Sequence, residues 1–268
     1  MAETLWFDSA AWLVWLAPFL GVLAAGLSKR RDPVIEVDKV LRHDVSARIT
    51  HWTHGVGTMM LLISGIALGL FFTPALVSGG EGVWTWMNVH YAFVVVFLFG
   101  TFYYGANTLM APKRFREHLP TKNAIEYTKR HYGRMLGIKK YTYPPEKKYF
   151  ESERMAYLLA IGSAGLLILT GLVKVAAHAV SMPAWLMSVM APVHDIAAVA
   201  IGLFFIAHVI AGAILPASWP VLRSMFTGYV PLEYAKEEHP GWLAELEGRE
   251  VEKKDTAAAP ARAAEARS

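Results

Sequence analysis

Four of the ten histidines in this 268-residue chain, which contains no cysteine, lie in or at the edges of long apolar runs. They are His51, His90, His194 and His208. An ionisable side chain among apolar neighbours is costly, and it faces the interior of a bundle with a partner. His194 and His208 are 14 residues apart on one run. In a helix that separation leaves the two imidazoles only about 40° apart in azimuth and about 21 Å apart along the axis. One helix therefore offers an imidazole at each of two depths. His51, at the start of its run, matches the depth of His208, and His90 matches His194. Two depth-matched imidazole pairs suit two haem irons, each with both axial positions filled, which favours electron transfer over oxygen binding. His54, one turn beyond His51, competes for the first level, and His178 competes for the second. Lys174 and Arg48 are candidates to pair with haem propionates. His43, His118, His131 and His239 fall between or after the apolar runs and read as ordinary surface residues.

The elements that must carry these residues are read from composition. Hydrophobic residues make up 54% of the chain and charged residues 18%, and the mean hydropathy is +0.33. These values disfavour disorder and an ordinary soluble enzyme. Without cysteine the chain holds no iron–sulfur cluster, thioether-linked haem or disulfide of its own. Five apolar runs, Ala10–Leu27, Trp52–Phe72, Met87–Met110, Met155–His178 and Val193–Leu215, approach the roughly 20 residues that a helix needs to span a bilayer. The expected fold is an all-α integral membrane bundle of five spans, a four-helix di-haem core with an extra N-terminal span. Residues 1–27 form the extra anchor, 28–245 the cytochrome domain and 246–268 a disordered Ala-rich tail. Gly55, Gly57, Gly65, Gly69, Gly100, Gly105, Gly202 and Gly212 offer room between helices for a flat macrocycle or for close packing.

Basic residues set the orientation. Of the 26 Lys and Arg, 25 lie in 28–48, in 111–154 or after 222, and none lies in 1–9, 73–86 or 179–192. By the positive-inside rule the N-terminus is outside and the C-terminus inside. Trp84, Trp86 and Trp185 mark the outer interface, and Trp52 and Trp219 the inner one. The net charge of +4 thus reports topology rather than nucleic-acid binding.

At these same residues the chain resembles the di-haem cytochrome b (gamma) subunit of formate dehydrogenase N. That subunit falls within a wider family which includes hydrogenase and thiosulfate-reductase cytochromes. The resemblance runs through Arg48-Ile49-Thr50-His51-Trp52, Val89-His90-Tyr91, Val193-His194 and Ala207-His208-Val209, and on to Ala235-Lys236-Glu237-Glu238-His239-Pro240-Gly241-Trp242. It covers about residues 42–245. It implies two haem b groups, held at the outer level by His90 and His194 and at the inner level by His51 and His208. It also implies menaquinone or ubiquinone beside the inner ligand His208. The family's polar quinone contacts before the penultimate span are replaced here by Lys148-Tyr149-Phe150-Glu151-Ser152-Glu153, where Glu151 or Glu153 is the candidate proton shuttle. The implied partners are an iron–sulfur subunit docked at outer loops 73–86 and 179–192, and a molybdopterin or tungstopterin catalytic subunit, in a complex of several copies in the bacterial inner membrane. The N-terminal span is extra relative to that family member.

The same ligands would serve a hydrogenase cytochrome or a quinol-oxidising thiosulfate-type reductase. A transporter with histidine proton relays predicts paired midplane helix breaks, which the runs lack. A structural anchor predicts no cofactor.

Overall fold

The computed structural model describes residues 4–70, 73–138, 141 and 144–248. Contacts divide the chain into two compact units. The first comprises residues 1–30, 45–116 and 156–218, and the second 31–44, 117–155 and 219–268.

The first unit is built of helices. A single turn, α1 (Trp6–Ser9), precedes α2 (Leu13–Leu27), and then come α3 (Val45–Leu68) and α4 (Gly80–Met110). The short α5 (Pro112–Arg116) follows α4. After the second unit's α6 (Ala124–Met135) come α7 (Glu151–Ala179) and α8 (Ala184–Val209). The α8 helix continues through a π turn at Ile210–Ile214 and a 3-10 turn at Pro216–Ser218. Among the described residues, three helices are long and apolar enough to cross a membrane: Gly80–Met110, Glu151–Ala179 and Ala184–Ile214.

The other two expected spans differ for physical reasons. The α3 helix has 24 residues but carries Arg48, Thr50, His51, Thr53, His54 and Thr58, which dilute its hydropathy. The α2 helix has only 15 residues, about 22 Å of rise. It is nevertheless seated on α4 along its length. A Cβ on Gly21 would come within 2.5 Å of Phe99 O and 2.9 Å of Tyr103 N, so the two backbones meet there. Flanking polar bonds hold the ends: Trp6 N–H donates to Asn88 Oδ1 (2.8 Å), the Tyr91 hydroxyl to Ala10 O (2.6 Å), and Arg30 Nε to Asn107 Oδ1 (2.8 Å). On the other side of the hairpin, a Cβ on Gly100 would meet Thr53 Oγ1 at 2.5 Å, and one on Gly57 would meet Phe97 at 3.4 Å. These two glycines pack α3 on α4. Gly69, at φ +92°, ends α3 as a residue without Cβ can.

The second unit amends the all-α expectation. Strand β1 (Lys39–Leu41) pairs antiparallel with β2 (Tyr229–Pro231), with Val40 opposite Val230. Helix α9 (Trp219–Thr227) leads into β2, and α10 (Leu232–Glu238) leads out of it. Residues 240–248 are also helical. Val40, Val230, Ala235, Trp242, Leu243 and Leu246 form its core. The part of the expected tail from residue 249 lies outside the described residues.

Candidate functional site

All four span histidines belong to the first unit. His51 on α3 and His208 on α8 face one another with ring centroids 6.0 Å apart and planes inclined by 53°. Two imidazoles ligating one iron from opposite sides would place their centroids about 6.3 Å apart, given metal–nitrogen bonds of about 2.0–2.1 Å. The His51 Nδ1 atom is buried with no hydrogen-bond partner among the described residues. Trp52 meets His51 edge-on at 5.1 Å, and Phe204 stacks on His208 at 5.6 Å. His208 is the most exposed of the four, because α8 touches α3 at only a few points. The π turn begins two residues after it, a distortion often found at functional sites.

His90 on α4 and His194 on α8 form the second level, close enough to act on one another electrostatically. Their surroundings repeat. Ser64 Oγ on α3 lies 2.8 Å from His90 Nδ1, and Thr170 Oγ1 on α7 lies 2.8 Å from His194 Nδ1. Each hydroxyl donates its single proton to the carbonyl four residues back, Met60 O or Leu166 O, at 2.7 Å. A hydroxyl bonded in this way can accept from the histidine. In the tautomer with iron held at Nε2, Nδ1 carries the proton and donates to that hydroxyl. The next residue in each case is glycine. A Cβ on Gly65 would sit 4.0 Å from His90 Cε1, and one on Gly171 3.6 Å from His194 Cε1.

Among the described residues no three His, Cys, Asp or Glu side chains converge on a common point. A bare metal ion would need such a cluster. Imidazoles in pairs suit an iron that brings its own equatorial nitrogens, so the residues present fit axial ligation of haem.

The competing histidines are engaged elsewhere. His54 Nδ1 donates to Thr50 O (2.9 Å), and its Nε2 meets Thr101 Oγ1 (3.1 Å). His178 Nδ1 pairs with Asp8 (3.2 Å) under a stacked Phe7. Lys174 is near enough to both His90 and His194 to act on them electrostatically. Arg48 lies one turn before His51 on α3 and is half-buried.

Glu151, one of the two sequence candidates for proton transfer, lies in the second unit and is committed there. It pairs with Arg154 (3.1 Å), and Thr121 N–H donates to it (2.9 Å). The reading of His43 and His239 as surface residues is corrected, since both are buried. His43 Nδ1 bonds Ser224 Oγ at 2.8 Å. His239 donates through Nδ1 to Lys147 O (2.6 Å) and accepts at Nε2 from Arg42 Nη1 (2.8 Å). Burial, and next the Arg42 charge, hold His239 down to about 2, so it is neutral. Glu146 is 2% exposed, and burial pushes its carboxyl up to about 7. Its Oε1 has no partner among the described residues.

Sequence reading missed Ser64, Thr170 and Glu146. The first two left a trace, a hydroxyl–glycine pair 26 residues before His90 and 24 before His194. Glu146 left none, because what isolates it is tertiary.

No curated protein matches the chain. The profile of the prokaryotic cytochrome b561 family matches residues 42–228, a stretch that contains all four histidines, both hydroxyl–glycine pairs and Lys174. This chain, with its apolar helices and paired imidazoles, belongs to that family of membrane haem b proteins, and its work is electron transfer.

Proposed function

We propose that this chain is the membrane electron-transfer subunit of a respiratory oxidoreductase. It would pass electrons from an outer iron–sulfur partner through two haem b groups to a quinone near the inner face. The observation that carries the reading is the His51–His208 pair, 6.0 Å apart, with a second imidazole pair at His90 on α4 and His194 on α8. When bound, haem b supplies a one-electron ferric–ferrous couple. The chain's own residues ligate, orient and insulate. His51 and His208 hold the inner level, and His90 and His194 the outer. Lys174 would neutralise a propionate at the outer level and Arg48 one at the inner. Five spans are proposed, with α2 as the extra one, the N-terminus outside and the C-terminus inside. The exclusive placement of basic residues in 28–48, 111–154 and the C-terminal segment, Lys174 aside, supports that orientation.

The donor reading rests on the ligand motifs, which resemble those of the gamma subunit of formate dehydrogenase N. A molybdopterin or tungstopterin formate dehydrogenase would feed the iron–sulfur subunit at the outer loops, and menaquinone or ubiquinone would accept beside His208. Pyridine haemochrome analysis of the purified chain is expected to give two haem b per polypeptide, and His208→Ala to give one. A chain with no haem would sink the proposal. Copurification with a nickel–iron hydrogenase would keep the ligand assignment and replace the donor.

A further inference from the structure

We infer that Ser64 and Thr170 are positioning residues that fix the protonation and aim of both outer-level imidazoles, and so set the potential of one of the two haems. The inference rests on the haem assignment above and deepens it. Three observations coincide at each position. A hydroxyl lies 2.8 Å from Nδ1. Its own proton is spent on a carbonyl of its helix at 2.7 Å. The following glycine lies against the ring edge, where a Cβ would stand in ordinary van der Waals contact with Cε1.

The geometry leaves little freedom. Ser64 is fully buried and Thr170 is 1% exposed, so no water competes for these bonds. A second carbonyl, Leu61 O at 3.2 Å or Leu167 O at 3.3 Å, shares each hydroxyl proton. With iron held at Nε2, the imidazole proton sits on Nδ1. The hydroxyl then accepts from Nδ1 and gives its own proton to the helix carbonyl. Partners of this kind fix the tautomer and ring orientation and raise ligand basicity.

The two positions are equivalent halves of one device. On the helix preceding each outer histidine, α3 before α4 and α7 before α8, the same hydroxyl–glycine step faces the ring. The inner level differs, since His51 Nδ1 lacks any such acceptor among the described residues.

A more basic imidazole favours ferric iron. Removing either hydroxyl should therefore shift one haem toward the ferrous form. The loss of one hydrogen bond corresponds to roughly three- to tenfold in the equilibrium, and tenfold is about 59 mV for one electron. The test is spectroelectrochemical titration of the full-length protein in detergent or nanodiscs. Ferric low-spin EPR spectra and haem counts would be taken on the same samples. Ser64→Ala and Thr170→Val are each expected to raise one of two transitions and to change the g-values of one of two signals. Because both hydroxyls act on one haem, both variants must move the same transition. Ser64→Thr and Thr170→Ser, which keep the acceptor, are expected to restore it. Unmoved transitions with two haems retained would overturn the inference, as would variants that move different transitions. A Ser64→Thr protein shifted as far as Ser64→Ala would also overturn it. Wild-type protein without haem would instead overturn the function on which it rests.

Discussion

Acidification should act on the second unit through two buried groups of opposite sign. His239 is fully buried and is held down to about 2 from 6.5, first by burial and next by Arg42. A group whose folded pKa is depressed contributes stability above its unfolded pKa, and the contribution is lost as pH falls. Lowering the pH to 5.0 leaves the unfolded imidazole charged and the folded one neutral, 1.5 units below 6.5, at a cost of about 2 kcal/mol. Glu146 runs the other way. Its folded pKa is raised from 4.5 to about 7, mainly by burial, so its contribution is present at low pH and lost as pH rises through 7. Between pH 7.5 and 5.0 it returns about 1–2 kcal/mol once solvent screening is allowed for. The wild-type unit is therefore expected to be nearly flat over this range. Two variants separate the arms. Glu146→Gln leaves His239 uncompensated, and hydrogen-exchange protection in 229–246, corrected for intrinsic rates, should fall up to about 30-fold from pH 7.5 to 5.0. His239→Gln keeps an acceptor for Arg42 and a donor for Lys147 O, and its protection should rise severalfold over the same interval. All other groups titrate alike in the variants, so the difference between them isolates the pair. Equal responses, or responses of the same sign, would refute the assignment of these two groups.

Three further outcomes follow from the first unit. His54→Ala is expected to leave the haem count at the wild-type value, because both ring nitrogens already have protein partners in Thr50 and Thr101, whereas His51→Ala should lose one haem; pyridine haemochrome analysis distinguishes them. Lys174→Met should lower the outer haem's potential by about fivefold in the redox equilibrium, since a nearby cation favours the reduced, less positive iron by about 1 kcal/mol; a redox titration would then show a shift opposite in sign to that of Ser64→Ala. Gly21→Leu forces a side chain against Phe99 O and Tyr103 N and should cost about 1–3 kcal/mol, seen as a lower Tm in detergent and as faster exchange confined to α2.

The imidazole phases were legible because a helix converts sequence spacing into azimuth with little error. Fourteen residues set His194 and His208 on one face whatever surrounds them. The grouping of basic residues into three segments was legible for a similar reason, since charge is local, and the orientation proposed above rests on it. The second unit was not legible. Its core joins Val40, Val230 and Trp242 from segments whose short length carries no clear periodicity. Arg42 and His239, 197 residues apart in sequence, look like surface residues until the chain brings them together. Ser64 and Thr170 were hidden for another reason. A hydroxyl in a helix ordinarily bonds back to the carbonyl four residues earlier, and both do so, which masks the lone pair that each presents to a histidine.

The two imidazole levels differ in a way that suits different tasks. At the outer level both rings are tied through hydroxyls to the backbone of a neighbouring helix, with glycine beneath them. A ligand held in this way moves little when the iron changes charge, which keeps the barrier to electron transfer low. At the inner level the rings are held by aromatic contacts, Trp52 on His51 and Phe204 on His208, and α8 loosens into a π turn just beyond. Those contacts position the rings, and His51 Nδ1 has no hydrogen-bond partner among the described residues. Passing an electron between two irons needs only rigidity. Delivering it to a quinone also needs a proton, and hence polar groups not already consumed by the fold. The level at which both Nδ1 atoms meet hydroxyls is the one proposed for relay, and the level at which His51 Nδ1 meets none among the described residues is the one proposed beside the quinone.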